Sequence, residues 1–186
     1  GKGSELLSGS KNFYDDLGNE IGSAEFMNGE LDKAHCTSFQ FSKSGTEVTG
    51  EEDEAQTITT GYEKEINPSS YTEEVDPANF YDQFNDSVLS ETITKTVTDA
   101  EGSTLSQTTS YLRGKNKTET VTTYENDDFG GTVKENTIQK KYQDGRWLPS
   151  YETEVSYTYD ENGNVTETET KSRKEGETDW QTQKTK

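Results

Sequence analysis

The chain has 186 residues, only 25% of them hydrophobic, and a formal charge of −19 from 37 acids against 18 bases. Ordering a residue costs roughly 1–2 kcal/mol of conformational entropy and apolar burial returns about 25 cal/mol per Å², so a thick core is excluded and apolar side chains must gather on one sheet face. The charge repels phosphate backbones and anionic bilayers, which excludes nucleic-acid binding and membrane-surface docking and favours cations and basic surfaces; no run of about 18 apolar residues spans a membrane.

Residues 1–11 are rich in Gly, Ser and Lys and are predicted to be a mobile lead-in to a single β-rich domain over 12–186. Gly1-Lys2-Gly3-Ser4 has no initiator Met and no apolar signal segment, which reads as the trimmed start of a longer, exported precursor. Strands are predicted near 21–27 and 34–42, with turns at 14–19, Asn28-Gly29 and Ser44-Gly45. On the second strand His35, Thr37, Phe39 and Phe41 share a face, which puts His35 and Cys36 on opposite faces. Such neighbours cannot form a nucleophile–base pair, and both read as packed residues. A single Cys excludes an internal disulfide, and with a single His it leaves no zinc site.

Glu51 to Glu54 is an acidic run read as a solvated loop, followed by a strand over 56–62. Asn67-Pro68-Ser69-Ser70 and Asp76-Pro77-Ala78-Asn79 mark an internal boundary at 67–79, with a short helix starting at Asp76 or Pro77 and running to Phe84. From Ser87 the chain alternates strand and turn. Strands are expected near 88–97, 104–112, 117–124, 132–142, 147–159, 165–173 and 179–185, and almost every link holds Gly, Asn or Asp. Short links of this kind join antiparallel neighbours in sequence order. The fold class is therefore all-β, an antiparallel meander of hairpins in a curved open sheet or half-barrel; a two-sheet sandwich is the alternative. Thr92, Thr94 and Thr96, and again Thr166, Thr168 and Thr170, give the strands a threonine-rich face.

The clearest unit is 151–173. Tyr151, Thr153, Val155, Tyr157 and Tyr159 alternate with Glu152, Glu154, Ser156 and Thr158, then Asp160-Glu161-Asn162-Gly163-Asn164 reverses the chain. Tyr159 to Val165 resembles the YD repeat of Rhs-type bacterial surface and toxin proteins, and Tyr14 to Asn19 matches at the same positions. Tyr81 to Asn85 and Tyr124 to Gly130 match in part, and Trp147 and Trp180 stand 33 residues apart. The resemblance implies β-hairpin units and a bacterial surface setting. It does not bring the family's cargo-enclosing shell, which takes many more repeats.

Among candidate sites, Asp160, Asn162 and Asn164 mimic the first ligands of a calcium loop, but Val165 stands where such a loop needs Gly, so no metal is assigned. Carboxylates are too abundant to mark a glycosidase pair. No nucleophilic Ser motif, phosphate loop or dinucleotide fingerprint occurs, so no catalytic residue and no cofactor is assigned. The binding candidate is an aromatic stripe of Trp147, Tyr151, Tyr157 and Tyr159, the competing reading being that these rings are simply core. The expected function is a non-enzymatic, exported surface or interaction module, extracellular, on the cell surface or periplasmic, with a protein or glycan partner. A carbohydrate-binding or carbohydrate-active protein and an envelope lipid carrier are the alternatives.

Overall fold

The computed structural model describes residues 8–14, 18, 20–27, 39–67, 81–82 and 88–186. Among them the secondary structure is nearly all strand: β1 Ser8–Tyr14, β2 Glu20–Met27, β3 Phe39–Thr49, β4 Gln56–Ile66, β5 Val88–Thr98, β6 Thr104–Arg113, β7 Asn116–Asn126, β8 Thr132–Gln143, β9 Arg146–Tyr159, β10 Val165–Lys174 and β11 Gln181–Thr185. Each strand hydrogen-bonds the next in sequence order, giving one open antiparallel meander that does not close into a barrel. The strands from 88 onward fall within a few residues of their expected bounds. The single sheet stands in place of the sandwich alternative.

Turn chemistry explains this regularity. The loops at 99–103, 127–131 and 160–164 share the pattern Asp-x-x-Gly-x. In each, the Asp N–H donates to the carbonyl of the fifth residue at 2.8–3.0 Å, and the Gly N–H donates back to the Asp carbonyl at 3.0–3.2 Å. The Gly carries φ of +90°, +81° and +80° in the three loops, a conformation that side chains with a Cβ rarely adopt. The Asp carboxylate then caps the loop: Asp160 Oδ1 accepts from the N–H groups of Asn162 and Asn164 at 2.9 Å each, and Asp127 Oδ1 from those of Phe129 and Gly131 at 2.9 and 2.8 Å. Gly18, with φ of +84°, occupies the same place in the Tyr14 to Asn19 pattern.

Two expectations near the N-terminus are corrected. Residues 8–11, inside the stretch predicted to be a mobile lead-in, are paired in β1, Ser8 standing opposite Met27 and Lys11 opposite Ala24. Ser44-Gly45 is not a turn, because β3 runs through it to Thr49, carried by the strand-favouring Thr46, Val48 and Thr49. The reversal waits for Gly50, where φ is +85° and a Cβ would sit 2.6 Å from the Glu54 carbonyl oxygen. A one-turn 3-10 helix, Glu52–Glu54, completes the loop, with the exposed acids that the sequence suggested. Residues 34–38 of the strand predicted at 34–42, the Asn28-Gly29 turn, the His35–Cys36 pair and, apart from Asn67, the boundary at 67–79 lie outside the described residues; of the helix predicted from Asp76 or Pro77 to Phe84 only Tyr81 and Asp82 are described, and they form a turn.

The chain separates into two compact units. The first comprises Gly1–Gly45, Thr60–Ile93 and Tyr111–Lys115; the second comprises Thr46–Thr59, Thr94–Ser110 and Asn116–Lys186. All the buried side chains found among the described residues belong to the first: Phe13, Phe41, Ile66, Tyr81 and Lys64. Phe13 and Phe41 stack with ring centroids 6.5 Å apart, and Tyr62 meets Tyr81 edge-on at 5.8 Å. Lys64 lies against the Tyr81 ring at 3.9 Å and donates to the Tyr81 carbonyl at 2.8 Å, and the Tyr81 hydroxyl donates to Glu91 at 3.0 Å. The described residues of the second unit are half-buried or exposed throughout.

Candidate functional site

In the second unit the pairing register sorts side chains into two unlike faces, because residues directly opposite each other share a face and successive residues alternate. One face runs from Thr120, Thr122 and Tyr124 on β7 through Glu135, Thr137 and Gln139 on β8 to Tyr151, Thr153, Val155 and Tyr157 on β9. It continues through Thr168, Thr170 and Ser172 on β10 to Gln181, Gln183 and Thr185 on β11. Hydroxyls and rings dominate it. Over β7–β11 its charged members among the described residues are Glu135, Lys141, Arg146 and Lys174. Thr122 and Thr137 share a cross-strand hydroxyl hydrogen bond of 2.9 Å, the ladder contact expected of such a face. Thr166 is taken out of the ladder by the bulge between Val165 and Glu167, and its hydroxyl donates to the Thr158 carbonyl at 3.1 Å.

The opposite face is an ion-pair ladder. Lys134 reaches Glu154 at 2.9 Å, Lys171 bridges Glu154 at 3.5 Å and Glu169 at 3.0 Å, and Lys184 joins Glu169 to Glu167. Arg173 pairs with Glu152, and Lys140 with Glu119 at 3.0 Å. The Lys134 hydrogen bond holds the Glu154 carboxyl below its ordinary range, and Lys184 followed by Lys171 does the same for Glu169. Face charge is thus locally neutralised, and the net negative charge is left to the loops.

The predicted stripe divides under this register. Tyr151, Tyr157 and Tyr159 do share the threonine–tyrosine face. Trp147 does not: Lys140 pairs with Pro149 while the adjacent Gln139 pairs with Tyr151, so an extra residue, Ser150, flips everything before it. Proline cannot donate to the ladder, and the chain bulges where that bond is missing. Ser150 secures the bulge, its hydroxyl donating to the Gln139 carbonyl at 3.1 Å and its own carbonyl accepting from the Glu175 N–H at 3.1 Å. Trp147 consequently packs edge-on against Tyr142 at 5.3 Å, with Lys117 over both rings.

The three tyrosines are anchored by their hydroxyls. Tyr157 donates to Glu135 at 3.0 Å and Tyr159 to the Thr132 carbonyl at 2.6 Å. Burial, then the neighbouring Glu135, pushes the Tyr157 and Tyr124 hydroxyls up, so both remain neutral donors. Hydrogen bonds from Ser172 and Thr153 draw Tyr151 down. Beyond Tyr124, at the loop end of the face, an open depression of about 540 Å³ is lined by Tyr124, Asn126, Phe129, Thr132, Gln107 and Thr96. Asn126 braces it, donating to the Thr104 carbonyl at 2.9 Å and accepting from the Thr132 hydroxyl at 3.0 Å. Phe129 at its rim is 97% exposed. The sequence reading passed over Phe129; aligning the Asp-x-x-Gly-x loops exposes it, because Glu101 and Asn162 hold the same place.

In the calcium-like loop the Asn164 amide at 3.1–3.3 Å, then the backbone N–H groups of Asn164 and Asn162, donate to the Asp160 carboxylate and hold it below its ordinary range. Among the described residues no group of three or more His, Cys, Asp or Glu side chains is placed to hold a metal ion, and no helix is long and apolar enough to cross a membrane. Compared with protein-family models and with curated proteins, the chain matches none of them.

Proposed function

We propose that this chain is a non-enzymatic interaction module of an exported bacterial surface protein, binding a protein or glycan partner through the threonine–tyrosine face of β7–β11. One observation carries the reading. In a chain of net charge −19, a broad face is nearly free of charge while the opposite face pairs its charges off. A sheet that only had to stay soluble would spread its carboxylates over both faces, and extended uncharged areas with aromatic members suit binding. The Tyr-Asp sequence motifs at 14–19 and 159–165 support the surface setting through their resemblance to YD repeats.

The test adds a charge to one face and removes one from the other. Wild type, Thr137→Lys and Glu154→Gln are applied to a glycan array and to a panel of purified extracellular proteins, with hydrolysis assayed on every glycan that binds. Binding that survives Glu154→Gln and is lost in Thr137→Lys is the expected result. Turnover of a bound glycan would end the non-enzymatic reading, and binding indifferent to Thr137→Lys would remove the face from the proposal.

A further inference from the structure

Phe129 has no structural reason to be where it is. The loop at 127–131 closes through Asp127 and Gly130, and the same loop closes equally well with Glu101 or Asn162 at the Phe129 position. A ring that is 97% exposed buries almost no apolar area and contributes next to nothing to the fold. Yet the backbone that carries it is firmly held. Its own N–H and that of Gly131 both donate to the Asp127 carboxylate, and a Cβ on Gly130 would lie 3.1 Å from Ser103 Oγ of the neighbouring loop, so the two loops abut. With the backbone fixed in this way, only the ring's own two torsions remain to be ordered when something stacks on it.

What would stack there follows from charge. Turns of a meander fall alternately at the two ends of the strands, so within the second unit the loops at 50–55, 99–103, 127–131 and 160–164 all lie at one end. Thr98 reaching the Thr57 carbonyl at 3.5 Å and Asn126 reaching that of Thr104 place these loops side by side. None of the four loops contains a Lys or Arg, whereas Glu51, Glu54, Glu101, Asp128 and Glu161 are all exposed in them. The depression beside Phe129 is lined by a second ring, Tyr124, and by Glu101. Aromatic faces attract cations, best of all the flat guanidinium, and nearby carboxylates add to that attraction.

We propose that the Phe129 depression is a docking site for a basic peptide segment of a partner protein, an arginine side chain stacking on Phe129 with its guanidinium toward Glu101. The site lies at the loop end of the strands and adjoins the face proposed above at Tyr124, while Phe129 and Glu101 belong to the loops alone. The experiment is fluorescence anisotropy with labelled octapeptides of alternating Gly and Arg, Gly and Lys, Gly and Leu, or Gly and Glu, titrated with the intact chain at 50 and 500 mM NaCl. The expected order of affinity is Arg above Lys, with the Leu and Glu peptides not binding, and high salt weakening both complexes. Phe129→Ala leaves the net charge and the fold unchanged and should weaken the Arg peptide at least five-fold, Phe129→Trp should restore it, and Thr137→Lys should leave it as in wild type. Equal binding by Phe129→Ala would reduce the effect to diffuse attraction and overturn the site; binding of the Leu peptide would overturn its cationic character. Sedimentation velocity showing self-association that Phe129→Ala abolishes would make the occupant a second copy of the chain and overturn the peptide assignment. Loss of the Arg peptide in Thr137→Lys would merge the two sites and overturn their separation.

Discussion

The two units of this chain are built from the same strands and turns but held by different forces. The first keeps Phe13, Phe41, Ile66 and Tyr81 at 4% exposure or less, while in the second no described residue is buried. In one, removal of apolar surface from water supplies the stability. In the other, closed turns, backbone ladders and cross-strand pairs of about 0.2–1 kcal/mol each do so. A composition too polar for a thick core is therefore compatible with order, provided that turn chemistry specifies the register where packing does not.

The comparison is most readily broken at Phe41, which is 1% exposed. Phe41→Ala should cost about 3–5 kcal/mol, and Val155→Ala, on a half-buried strand face, about 1 kcal/mol or less. Hydrogen exchange read by mass spectrometry separates local from global loss. Faster exchange confined to β2 and β3 in Phe41→Ala is expected; an equal loss of protection in β8 and β9 would show that the units unfold as one.

Lys64 sharpens the contrast, because it is a charge inside the apolar unit, with Glu91 at 3.9 Å and Tyr81 above it. Burial, partly offset by Glu91 and Asp82, lowers its pKa from 10.5, with Lys43 lowering it further. The unfolded chain then holds the proton more tightly than the folded one, so stability should rise as pH climbs from the lowered value toward 10.5. Tyr81 acts oppositely: burial and Glu91 push its hydroxyl up, so stability falls once pH passes about 10. Denaturant titrations from pH 7 to 10 should show the rise in wild type and none in Lys64→Met, which keeps the stem's packing but leaves the Tyr81 carbonyl without this donor, and should itself cost about 1–3 kcal/mol. A rise that persists in Lys64→Met would assign it to another group.

These differences also mark what could be read from residues alone. The second unit was legible almost strand by strand, because Asp, Asn and Gly at 99–103, 127–131 and 160–164 announce their turns locally and strict alternation does the rest. Trp147 was misplaced because one inserted residue at Ser150 reverses a face without altering the pattern of residue types. Gly45 misled because Ser-Gly suits both a turn and a strand, and what makes Gly50 the pivot is its close approach to Glu54, four residues on, which is a contact in space rather than a motif. Lys64 gave no signal, since a lysine among acids on an alternating strand reads as solvated until the chain that covers it is seen. Phe129 was visible only once three loops were known to be the same loop.

The smallest expected effect tests the turn that best represents the second unit. Asp160→Ala removes the acceptor of three hydrogen bond donors in the 160–164 loop, and the melting temperature should fall by about 2–4 °C, with faster exchange at the β9–β10 junction. Because the folded carboxyl lies below its ordinary range, its contribution is present at neutral pH and is lost as pH falls through the folded value, so wild type and variant should converge in acid. With a net charge of −19, sodium chloride should raise the melting temperature of both modestly by screening repulsion between like charges. Calcium at fixed ionic strength should add nothing, since the carboxylate is already occupied by its own loop. A calcium-dependent rise in wild type that Asp160→Ala abolishes would show the loop to be a cation site, because a ligand bound to the folded state alone stabilises it by mass action.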